Sequence, residues 1–293
     1  MSLYQLYVVP AEGREDEIAQ MNAVKDIFTD YKITLDSLWM NEESETRGVT
    51  TSTSFQLGTL GSSTVSGGVT MPVLRPIGST AIVEVNNPDR SEVFRIYEGS
   101  VSDGDITEGN IIAEIDPGAL EYESQNNYWI QQVYYYQMGG VFLAQDSGTT
   151  TRISPLISIY PTRDDVTCVV IRAIQITGGG AVGGSTPVRV DTRFRDSTVT
   201  YEPESYSEVT LLLETPDEKT GNTWRKIFTE SAKREGLDAD WYDIDYFGGD
   251  ASRPYITIYG KSGASDESET DVTLDLKHYY FAVTVQNVAS QID

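Results

Sequence analysis

Four carboxylates crowd one short stretch of this chain: Asp238, Asp240, Asp243 and Asp245, spaced two and three residues apart around Trp241-Tyr242. Calcium draws its oxygens from carboxylates, carbonyls and water. These four are therefore the candidate metal ligands, and calcium is the one cofactor the sequence offers. Asp103, Asp105 and Glu108 form a second group of similar make-up. Neither group follows the spacing of the helix-flanked calcium loop, so solvated acid at strand ends is the competing reading.

Other chemistry is sparse. The single histidine, His278, stands between Leu276-Lys277 and Tyr279-Tyr280-Phe281. No nucleophile elbow accompanies it, so a Ser–His–Asp or Cys–His arrangement lacks its other members, and His278 reads as structural. One Cys and one His also argue against zinc. Cys168 lies in the apolar run 166–176 and reads as a buried thiol behaving as a small hydrophobe, with no second cysteine to pair with. The glycine-rich residues 177–186 lack the lysine and the following helix of a phosphate loop, so they read as a mobile loop or hairpin tip. No catalytic residue is assigned. A glycosidase needs little more than two carboxylates, yet 45 acids leave no pair to single out.

The acids set the partner classes. Lys plus Arg number 21 against 45 Asp plus Glu, a net charge of −24. Such a surface repels phosphate backbones and anionic lipid headgroups, which argues against nucleic acid and against direct electrostatic membrane binding. With 14 Arg to 7 Lys, the balance fits a salt-tolerant setting. No stretch has the roughly 20 apolar residues of a membrane-spanning helix. The short apolar opening, residues 4–9, reads either as a first strand or as the end of a longer hydrophobic segment preceding it. The membrane is reached only in the second case.

Two helices must position whatever chemistry there is. Ile18, Met21, Val24, Phe28, Tyr31, Leu35 and Leu38 recur at gaps of three and four, predicting an amphipathic helix from about Glu12 to Met40. Its stripe either covers the protein's own core or meets a protein partner, a second copy included. The second helix is predicted from Asn222, as N-cap, to Gly236, with Trp224, Ile227, Phe228 and Ala232 buried and Gly236-Leu237 closing its end. Between and after the helices run short strand-like stretches: 51–57, 81–85, 92–97, 111–115, 128–136, 141–145 and 151–160, then 166–176, 187–194, 207–214, 240–247, 255–259, 271–276 and 279–285. Regular turns between aromatic and β-branched runs predict a mainly β, antiparallel sandwich with these two helices added. The segments are a stem over 1–40, a β-sandwich region over 41–163 and a second β-rich region over 164–293, the last two able to share one domain. Residues 166–176 read as buried on both faces. Trp129 reads as a core residue of strand 128–136. Strand alternation puts Tyr134 and Tyr136 opposite Tyr135, so the triplet either packs into the core, the favoured reading, or leaves at least one aromatic face for protein or sugar contact.

A resemblance rests on that aromatic stretch. Asn126-Asn127-Tyr128-Trp129-Ile130, then Tyr134-Tyr135-Tyr136 and Gly140-Val141-Phe142-Leu143, resemble a segment of type IV pilin-like cell-surface proteins of methanogens and haloarchaea. Residues 21–26 with 28–32, 52–59, 75–79, 174–179 and 224–228 before Gly236-Leu237 are similar to methanogen members as well. The motifs are packing and turn residues, so no catalytic residue is carried over. The resemblance implies a non-enzymatic archaeal subunit at the cell surface, in an envelope, a filament or an adhesive structure, anchored in the full protein by a hydrophobic N-terminal helix. This sequence shows neither that helix nor a processing site. The alternatives are a carbohydrate-binding or carbohydrate-active β-sandwich module with a glycan as ligand, and a viral or appendage structural protein.

Overall fold

The computed structural model describes residues 7–41, 48–59, 76–101, 111–163, 166–200, 203–259 and 272–287. Among these residues it is mainly β with two α-helices, as the sequence predicts. Helix α1 (Val9–Met40) comes first, then β1 (Thr50–Phe55), β2 (Thr80–Val85), β3 (Val93–Glu98), β4 (Ile111–Ile115) and β5 (Leu120–Gln125). Strands β6 (Val133–Gln137), β7 (Gly140–Gln145), β8 (Gly148–Ile153), β9 (Ile157–Pro161) and β10 (Thr167–Gly178) follow. The remainder is β11 (Gly180–Gly184), β12 (Val188–Thr200), β13 (Glu204–Tyr206), β14 (Val209–Glu214), α2 (Glu218–Arg234), β15 (Tyr242–Tyr246), β16 (Pro254–Ile258) and β17 (Val272–Asn287).

Among the described residues the strands build three sheets. The first runs β1-β12-β17-β10-β9 with β13 also on β17, the second β11-β2-β5-β6-β7-β8, and the third β15-β16-β14-β3-β4. Among the described residues only β10 and β17 pair in parallel. Each sheet takes strands from both sides of residue 163, through β1 with β12, β2 with β11 and β3 with β14.

Among the described residues two large cores occupy the spaces between layers, the second sheet separating them, and Tyr97, Leu212 and Tyr255 form a small third cluster. Period-two alternation sends Val133 and Tyr135 of β6 into one core and Tyr134 and Tyr136 into the other. The first core adds α2 and the third sheet; the second adds the stripe of α1. Strands β10 and β17 serve both. Val169, Ile171, Leu274 and Leu276 face the first core, whereas Ile174, Ile176, Phe281 and Val283 face the second. The change of buried face falls in register, where Ala173 pairs with His278 and Ile174 with Tyr279.

Several expectations need correction. β10 is not buried on both faces throughout: residues alternate buried and half-buried up to the crossover, which leaves Cys168 half-buried. The strand predicted over 128–136 is confined to β6, because residues 126–132 form a loop, and Trp129 there is only half-buried. The stretch 151–160 is broken into β8 and β9 around Ser154-Pro155, since proline offers no N–H to a ladder. Residues 180–184 are not a free tip but pair with β2. At the start of α2, the cap is Asp217, whose carboxylate accepts from Thr220 N at 2.7 Å, so the helix gains a turn before Asn222. Its end is as predicted: Gly236 takes φ +74° and Leu237 N donates to Ala232 O at 3.1 Å. At the other terminus Val9 is already helical, so the opening does not continue as a strand through that residue.

Candidate functional site

Helix α1 spends its stripe on the protein's own core. Met21, Val24, Phe28, Tyr31, Leu35 and Leu38 are all buried, Phe28 against Phe55 and Tyr134 and Tyr31 against Tyr136. The Tyr31 hydroxyl shares a buried 2.9 Å hydrogen bond with Thr192 Oγ1 on β12. Continued backward by four, the stripe reaches Glu17 and Gly13, which are also buried. Glu17 is 1 % exposed. Its carboxylate accepts three backbone N–H groups from the loop before β6: Asn127 N at 2.6 Å, Tyr128 N at 2.9 Å and Trp129 N at 2.6 Å. A buried carboxylate is tolerable when it is so satisfied, because charge-assisted bonds offset part of its lost hydration.

Neighbouring residues complete the clamp. One turn before Glu17, Gly13 lies against the Tyr128 ring, where an added Cβ would come within 2.4 Å of Cδ2. Arg14 lies over the Trp129 ring at 4.2 Å, an arrangement that favours the cation electrostatically. The Tyr128 hydroxyl accepts from Ile77 N at 3.1 Å, and Asn127 Nδ2 donates to Gly78 O at 3.1 Å. The Asn126–Ile130 stretch is thus the loop that grips α1. Sequence reasoning missed Glu17, although an acid in phase with an apolar stripe was the available signal.

The sequence-derived metal residues do not converge. Asp238 opens a short 3-10 turn that contains Asp240, while Asp243 and Asp245 project from alternate positions of β15, and all four are exposed. Asp243 accepts from the Tyr255 hydroxyl at 3.4 Å. Among the described residues no three Asp, Glu, His or Cys side chains are grouped as a metal site requires. Asp103, Asp105 and Glu108 lie outside the described residues. The tyrosine triplet is buried on both faces, so it leaves no aromatic surface for a ligand. His278 is 7 % exposed at the crossover between cores; burial lowers its pKa to about 4, and Nε2 has no hydrogen-bond partner.

A second buried acid site lies between the second sheet and α2, where Glu92, Glu121, Tyr135 and Gln137 surround a cavity of about 10 Å3, near the lower limit for one water. Burial pushes the Glu92 carboxyl well above its ordinary range; the Trp224 indole acts against that, and the charges of Glu121 and Asp217 add to it. With its amide oriented as its neighbours require, Gln137 donates to both Glu92 oxygens, at 2.9 and 3.1 Å. Glu121 binds Arg90 Nε through Oε2 at 3.1 Å, while its buried Oε1 has no partner. Strand alternation conceals this pair in the sequence, because Leu120 and Tyr122 fill one core and send Glu121 to the opposite face.

This site gives a pH dependence. Burial raises Glu121 from 4.5 to about 7, Arg90 opposing and Glu84 and Glu123 assisting. A raised folded-state value means that the stabilising contribution of the neutral acid is complete below pH 4.5 and is lost as pH climbs through about 7. Glu92, also raised by burial, contributes a loss of the same sign as pH rises. Melting temperature should therefore fall across this window, and Glu121→Gln should flatten the fall. An unchanged slope in the variant, measured by thermal unfolding at matched ionic strength, would contradict the assignment.

Compared with protein-family models, with curated proteins and with solved structures, the chain matches none.

Proposed function

We propose that the chain is a non-enzymatic, extracytoplasmic surface subunit of the pilin-like kind, a β head built on a helical spine, serving an envelope, a filament or an adhesive structure. The observation that carries this reading is the clamp on α1. A helix of 32 residues lies along the head, and Glu17 binds it to the same Asn127, Tyr128 and Trp129 that belong to the pilin-like resemblance. A subunit that transmits force or fixes its place in an assembly needs its spine rigidly joined to its head. The net charge of −24 suits a solvated exterior and disfavours nucleic-acid partners.

Because the apolar stripe is spent at home, association with a protein partner or a second copy uses the outer face of the helix, where Ile33 is 60 % and Met40 64 % exposed. In the organism that makes the protein, antibodies against the head should label intact cells, and the antigen should fractionate with envelope or shed filaments. Labelling restricted to permeabilised cells, with the antigen in the soluble internal fraction, would overturn the proposal.

A further inference from the structure

Beyond the crossover, the face of β10 and β17 that carries Leu274 and Leu276 continues into Gln175, His278 and Tyr280, with Gln175 directly opposite Tyr280 in the ladder. Across from them stand Val93 of β3 and Ala113 and Ile115 of β4. Between these walls is a cleft of about 470 Å3, within the ~300–1,000 Å3 common for small-molecule sites.

The lining defines a ligand chemistry. His278 is more than nine-tenths buried, and its Nε2 has no protein partner. A buried polar atom in that state is normally satisfied by water or a ligand. Desolvation keeps the imidazole neutral at physiological pH, so its two nitrogens offer one donor and one acceptor. The Tyr280 ring lies 4.2 Å from the imidazole, centroid to centroid, and is itself half-buried. Gln175 adds an amide that both donates and accepts. At the rim Asp116 is an exposed acceptor and the exposed Glu114 carboxylate is paired through Oε2 with Arg95 Nε at 2.7 Å, leaving Oε1 as acceptor, while no Lys or Arg lines the cleft itself among the described residues. Anionic ligands such as phosphates and carboxylates are therefore disfavoured. An aromatic ring beside apolar walls, with neutral hydrogen-bonding groups and carboxylates around it, suits the mixed C–H and O–H surface of a sugar ring.

We propose that this cleft binds a neutral saccharide, one pyranose unit resting on Tyr280 with hydroxyls reaching His278, Gln175 and the rim carboxylates. The inference stands independently of where the chain resides.

The test titrates the full chain separately with glucose, galactose, mannose and N-acetylglucosamine, following backbone and side-chain NMR shifts. At least one sugar should shift Gln175, His278 and Tyr280 together with millimolar affinity. Tyr280→Ala and Gln175→Ala should each weaken binding about tenfold, the loss of one contact worth ~1.4 kcal/mol. Gln175 is half-buried, so its variant retains the fold even if the Tyr280 variant does not. Absence of shifts with all four sugars would overturn the proposal. So would binding left undiminished by Gln175→Ala, or shifts at these residues produced only by a control cation, calcium or tetramethylammonium.

Discussion

Replacing Glu17 with alanine is expected to destabilise the protein by about 3 kcal/mol, a loss concentrated at the junction of α1 and the head. Three loop N–H groups lose their acceptor at once. Each unsatisfied buried donor costs roughly 1–3 kcal/mol, and because these groups are partly buried, water recovers some of the sum. Glu17→Gln should lose about half as much. Its single carbonyl oxygen still accepts, while its NH2 group faces a donor. Urea unfolding, with the slope against denaturant unchanged, reads both values. A cost below about 0.5 kcal/mol for Glu17→Ala, the range of ordinary surface substitutions, would mean that the clamp holds nothing.

Trp224→Ala should cost at least as much, about 3–5 kcal/mol by the usual large-to-small range. The indole is fully buried in the first core, with ring centroids 5.7 Å from Phe142 and 6.1 Å from Phe228. Its removal opens a cavity next to the already unfavourable Glu92. Trp129 supplies the contrast. It is half-buried under Arg14 in the clamp loop, so Trp129→Ala should cost about 1 kcal/mol, the value of one cation–π contact of that kind. Equal costs at the two tryptophans would mean that the first core does not pack around Trp224.

The contrast between these tryptophans also shows what the sequence made legible. Local periodicity carried the helices: the stripe from Met21 to Leu38 and the face of Trp224, Ile227, Phe228 and Ala232 are buried as expected. It carried most strands too. It could not separate the loop 126–132 from β6, because the aromatic residues that favour a strand are here the wall of a helix clamp. Nor could it reveal the parallel pairing of β10 with β17, which depends on contacts about a hundred residues apart. The site residues were harder to see. Glu92, Glu121 and His278 become unusual only when distant elements enclose them, whereas the dense Asp238–Asp245 stretch drew attention by spacing and turned out to face solvent. Composition marks acids; only topology decides which of them lose their water.

Native-state hydrogen exchange across α1 measures directly whether this helix is a fixed spine of the head. Amides from Met21 to Leu38 should exchange only through global unfolding, with the same opening free energy as β6 and β7, and Glu17→Ala should lower that energy for the helix first. If the α1 amides of the unaltered protein exchange at a free energy well below that of β6 and β7, the helix opens independently and the spine reading is wrong.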